Sequence, residues 1–204
     1  MTMSPVNIER ANSLEPRGHV RISKAPDAGP VPPVLYSRGG RFFIPDRRNR
    51  FAYEVDPRLH VVRGGTVLVD QGNHVTKEGR IRTAELIVGI SADFPRRVGV
   101  GDAGTSPGTS VPLPPSDLAT DLVHEITRVD VTQRIINVDV PSITFVALFQ
   151  SAGSYQFNQP GQARISEVGL FSTDDVLCAL SNFAPIPVDV HRLGVLVEWE
   201  WSIL

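Results

Sequence analysis

Several residues in this 204-residue chain have side chains and spacings that could do chemistry. Glu167 stands in the run R-I-S-E-V-G-L-F. Strand alternation there puts Ile165, Glu167, Gly169 and Phe171 on one face and Ser166, Val168 and Leu170 on the other. A carboxylate on a core-side face must be hydrogen-bonded or paired, because burying it bare is costly. It is then either a catalytic acid or an anchor for loop amides or for an arginine such as Arg164 or Arg128. No second carboxylate is placed to complement it, so an anchor is expected. Trp199 and Trp201 share a strand face and suit either a sugar-stacking platform or a sandwich core. No companion aromatic cluster marks a groove, so core is expected. Glu167, Gly169, Trp199 and Trp201 are therefore read as structural anchors.

Gly99-Val100-Gly101-Asp102-Ala103-Gly104 matches G-x-G-x-x-G letter for letter. Dinucleotide binding needs a helix to start there, so that its first amides meet a pyrophosphate. Pro107, Pro112, Pro114 and Pro115 follow instead, so these glycines are expected to shape a loop over residues 99–115. His19, His60, His74, His124 and His191 are scattered, with no metal-ligand spacing among them. Cys178, the one cysteine, lies in an apolar run and reads as a small buried hydrophobe. Asp174-Asp175 reads as the acidic tip of a hairpin. No catalytic residue, cofactor or metal is expected.

The elements that must position these residues are mostly strands. Gly and Pro number 17 each, a share that favours short strands and turns over helices. Residues 60–62 and 66–69 read as a hairpin, 70–73 as a turn, and 84–90 as a short β-branched run. Residues 143–149, 165–171, 176–183 and 195–201 read as strands, with Pro185 and Pro187 fencing a corner. In the last strand Leu196, Glu198 and Glu200 form the wet face. One helix is expected over 116–128, with Ser116 as N-cap and Leu118, Leu122 and Ile126 as its apolar stripe. The fold class that follows is mainly β, a β-sandwich or jelly-roll-like domain with one short helix.

Charge is uneven along the chain. Residues 1–63 hold 11 Arg/Lys against 6 Asp/Glu, while the remainder holds 9 against 16. This asymmetry suggests head-to-tail contact between subunits or with an acidic partner. Residues 1–35 carry prolines at 5, 16, 26, 30, 32 and 33 and read as an extended arm, unable to join a sheet interior. Residues 36–204 then form the sandwich domain. Arg41, Arg47, Arg48 and Arg50 interleave with Phe42, Phe43, Phe51 and Tyr53. With Arg10, Arg17, Arg21 and Arg38 they are read as an interface arm, in preference to a nucleic-acid site. No signal peptide or membrane-spanning run is visible, so no membrane partner is expected.

Residues 98–204 present, in order, V-G-V-G-D-A-G-T-S-P, S-D-L-A-T-D-L-V-H-E-I-T-R, I-T-F-V-A-L-F, R-I-S-E-V-G-L-F, L-S-N-F-A-P-I-P-V and L-G-V-L-V-E-W-E-W-S. This series resembles a block of tailed-bacteriophage virion proteins of the tail-collar fibre and baseplate type. Members usually carry a lysine in the F-x-P-I-x-K corner, where this chain has Val188. The resemblance implies a non-enzymatic, homo-oligomeric collar, tail, baseplate or fibre-attachment subunit. It also implies assembly in a host cytoplasm, location in the virion, and collar, tail, fibre or major capsid proteins as partners. The alternatives are a capsid decoration protein clamping capsomers, a carbohydrate-binding module using Trp199 and Trp201, and a hydrolase relying on Glu167 and a distant histidine.

Overall fold

In the computed structural model, residues 16–24, 31–45, 51–90, 95–149, 163–188 and 195–203 are described. The chain is mainly β. Its first half supplies β1 (Pro16–Lys24), β2 (Val34–Arg38), β3 (Arg41–Pro45), β4 (Phe51–Val55), α1 (Pro57–His60), β5 (Val67–Val75) and α2 (Lys77–Ile87). Its second half supplies β6 (Arg97–Gly101), β7 (Glu125–Asp130), β8 (Gln133–Asn137), β9 (Ser142–Phe149), β10 (Ala163–Phe171), β11 (Leu177–Val188) and β12 (Val195–Ile203). The twelve strands follow the order β4-β3-β2-β8-β9-β12-β1-β5-β11-β10-β6-β7. Among the described residues, only the β2–β8 pair is parallel.

β5 joins two layers. Residues 67–73 pair with β1, while His74 and Val75 pair with β11. Val20, Phe145 and Trp199 from the first layer pack with Val98, Val168 and Leu170 from the second in one buried cluster. Alternating inward residues of two sheets thus make the core of a sandwich. Two satellite clusters lie outside it. Val62, Val146, Leu148 and Leu196 cover the outer face of the first layer. Leu122, Phe171, Leu177 and Leu180 cover the outer face of the second.

Several expectations are corrected. Residues 16–24 are no arm: β1 pairs on both sides, with β12 and β5, deep in the sheet. Val20 and Ile22 alternate into the core from G-H-V-R-I-S-K, and Pro16 stands at the strand's first position, where proline is tolerated. The sandwich therefore begins before residue 36. At the arm's other end Val34 and Leu35 open β2, with Leu35 fully buried, while residues 1–15 and 25–30 lie outside the described residues.

The expected helix over 116–128 is absent. Residues 116–124 form a loop, and Glu125 begins β7, which pairs with β6. Leu118 is 75% exposed, Leu122 is buried against the second layer and Ile126 lies in β7, so the expected stripe does not lie on one packed face, and so short a helix needs that packing. The longer helix, α2, instead takes in residues 84–87 of the run expected to be extended. Thr76 caps it by accepting the Gly79 amide, with Glu78 in its first turn. Residues 70–73 run straight through β5 rather than turning. Gly99 and Gly101 sit in β6 rather than in a loop, and β11 continues through Pro185 and Pro187.

Candidate functional site

Glu167 is fully buried on the outer face of the second layer. Its Oε2 accepts the Val123 amide at 2.9 Å; its Oε1 accepts those of His124 at 2.9 Å and Ala103 at 3.3 Å. One carboxylate thereby ties both ends of the loop between β6 and β7 to β10. Each amide donates into a carboxylate that is itself fully buried, where no water takes its place. The register shifts between Ile165 and Glu167, so Ile165 turns into the core with Val168 and Leu170, not outward beside Glu167 as alternation implied.

The glycines of G-V-G-D-A-G make room for this arrangement. A Cβ at Gly101 would stand 2.5 Å from Glu167 Oε1 and 2.4 Å from the His124 carbonyl oxygen. One at Gly104 would stand 2.2 Å from the Ser166 carbonyl oxygen. Gly99 lies directly opposite Gly169, and a Cβ on either would meet the Phe171 ring at 2.9 Å. Phe171 and Leu122 fill the slot that the two glycines leave. Arg128 sits 3.5 Å above the Phe171 ring centroid and pairs with Glu125, Asp121 and Asp175. Asp175, at φ 64°, closes the β10–β11 turn and also binds Arg97. These cations hold its carboxyl below the usual aspartate range, Arg97 most strongly.

The Trp pair points into the core, Trp199 fully buried and Trp201 nearly so, which removes both from any exposed sugar platform. With the Asn73 amide turned to satisfy its neighbours, its carbonyl oxygen accepts the Trp199 indole N–H at 2.5 Å. Cys178 is buried beside an apolar cavity of about 500 Å³ between α2 and the start of β9, walled by Leu86, Ile143, Phe145 and Trp201.

The interface arginines are dispersed. Arg21 lies in β1 and binds Asp70, which His19 also contacts. Arg41 pairs with Glu54 and lies 5.8 Å from the Phe43 ring centroid. Arg38 closes β2 opposite Arg41, and Arg17 lies in β1 opposite Ser202. Arg10, Arg47, Arg48 and Arg50 lie outside the described residues. No described side chain of β3 or β4 is buried, and Tyr53 is 69% exposed. β4 ends the strand order, so its outer edge has no partner strand among the described residues.

A polar groove of about 490 Å³ went unread in the sequence. It lies on the outer face of the first layer, on the side of β12 opposite the Trp pair. Register builds its floor. Glu198 faces Val146 and Arg21, and Glu200 faces Thr144 and His19. Asn137 faces Ser142 and Ser37, and Ser37 faces Phe42. Residues 63–65, following α1, make one wall. Burial holds the Glu198 carboxyl above the usual glutamate range despite the nearby guanidinium groups of Arg21 and Arg63. The only available signal was the i, i+2 spacing of two glutamates, which reads equally well as a solvated face.

Among the described residues, no group of three or more His, Cys, Asp or Glu side chains is placed to hold a metal ion, and no helix is long and apolar enough to cross a membrane. Compared with protein families, curated proteins and solved structures, the chain matches none.

Proposed function

We propose that this chain is a non-enzymatic structural subunit of a tailed-bacteriophage virion: a homo-oligomeric collar, tail, baseplate or fibre-attachment component. The supporting observation is how the two strongest blocks of the resemblance fit together. Gly101 leaves space for Glu167, Gly104 for the Ser166 backbone, and Gly99 with Gly169 for Phe171. The carboxylate with the greatest catalytic promise is saturated by loop amides. These residues define a fold, and a fold repeated in many copies is what a particle scaffold requires.

The β2–β3–β4 lobe is the contact surface in this reading. It carries arginines and half-buried aromatic residues, and it presents a strand edge to which a neighbour's strand can add. Its partners are further copies of the chain and other virion proteins. Light scattering on the full chain tests the first part: a discrete oligomer is expected, which Tyr53→Asp on the open edge dissociates while circular dichroism shows the chain still folded. Mass spectrometry of purified virions tests the second, and should find the chain at fixed copy number. A chain that stays monomeric at high concentration and is absent from particles would overturn the reading.

A further inference from the structure

We infer that the groove on the outer face of the first layer is a binding site for a neutral, hydroxyl-rich ligand, a saccharide, with Glu198 and Glu200 as its acceptors. The assignment is independent of where, or whether, the chain assembles into a particle.

Three observations carry it. First, the groove has unspent hydrogen-bonding capacity. Glu198 is half-buried, yet neither it nor Glu200 has a hydrogen bond to any described residue, and Arg63 on the wall has none either. Ser23, on the same face, is buried with its Oγ unpartnered. A half-buried carboxylate without donors is costly, so a ligand that brings donors is favoured there.

Second, the charge selects the ligand class. Arg63, and Arg21 which already holds Asp70, stand with Glu198 and Glu200 in the lining, so charges of both signs meet there. A phosphate or sulfate would meet the carboxylates, and a metal cation would meet the guanidinium groups. A molecule offering many hydroxyls, each both donor and acceptor, satisfies both sets at once. Ser37, Asn137 and Thr144 add neutral polar groups, and Phe42 offers a ring on which a sugar face can rest.

Third, the dimensions and backing suit a small ligand. About 490 Å³ falls within the range of small-molecule sites, roughly 300–1,000 Å³. The floor is rigid, because β12 lies between β9 and β1 and its inward face is locked by the Trp pair. The alternation E-W-E-W thus gives one strand two duties, apolar residues to the core and acceptors to the groove.

The test is saturation-transfer NMR on the full chain with the methyl glycosides of glucose, galactose and N-acetylglucosamine at millimolar concentration. Calcium chloride and inorganic phosphate serve as competitors. Transfer to at least one glycoside is expected. Glu198→Gln and Glu200→Gln should each weaken it by about tenfold or more, the factor for a hydrogen bond to a charged group. Neither competitor should displace the sugar. If Glu198→Gln fails to fold, Glu200→Gln decides alone, since Glu200 is exposed. No transfer from any of the three glycosides would overturn the assignment, as would transfer that survives both substitutions or displacement by calcium or phosphate.

Discussion

Replacing Glu167 with Gln changes one atom and little volume, yet it should destabilise the fold substantially. The carboxylate accepts three amides, two at 2.9 Å and one at 3.3 Å, at a site fully closed to water. A carboxamide has one acceptor oxygen, and its nitrogen can only donate. In the better orientation the oxygen keeps His124 and Ala103, while the NH2 group faces the Val123 amide donor to donor. Stranding one buried donor costs about 1–3 kcal/mol, and the two surviving bonds lose their charge assistance. A loss of about 2–4 kcal/mol is expected, which lowers Tm by roughly 4–16 °C for a domain of this length. Glu167→Leu, which strands all three amides, should cost more than Glu167→Gln. Urea unfolding of wild type and both variants gives the numbers, and hydrogen exchange at Val123 and His124 reports the loop itself. A Gln variant within about 0.5 kcal/mol of wild type, the range of ordinary surface changes, would refute the anchor. So would a Leu variant more stable than the Gln variant.

Further outcomes follow from the same geometry. Gly79→Ala should destabilise even though alanine is the better helix former by about 1 kcal/mol, because the new Cβ would stand 1.9 Å from the Cys178 carbonyl oxygen; thermal melting reads the sign. His124 lies 2.6 Å from Asp102, which, with Glu167 behind it, raises the imidazole above the usual histidine range. Its contribution to stability is therefore complete below the unfolded value near pH ~6.5 and is lost as pH rises through the folded value; a stability–pH profile against His124→Gln should converge on the alkaline side. Deleting residues 1–24 should abolish cooperative folding, because it removes β1 from between β12 and β5; circular dichroism and near-UV melting show whether a folded domain survives.

Much of the architecture was legible because it is written in local alternation. β10 and β12 lie where period-two alternation placed them, β9 lies where a nearly continuous apolar run placed it, and the Trp pair faces the core. Period-two patterning is a property of a few consecutive residues, so it survives without knowledge of partners. The short run containing Val20 and Ile22 carries the same pattern, but the surrounding prolines masked it. The β-branched run at 84–90 misled for a different reason. The cap at Thr76 and the seat of Gly79 against Cys178 set the helix there, and both depend on β11.

By itself the sequence determined that this is a β protein with an apolar Trp face and a carboxylate on β10 in need of partners. Tertiary structure alone decided what those partners are. Glu167 meets amides 43, 44 and 64 residues away, and the groove joins side chains of β12, β1, β8, β9 and β3. Periodicity says which way a side chain faces. Only strand pairing says what lies opposite, because register between distant segments is set by the packing of the whole sheet.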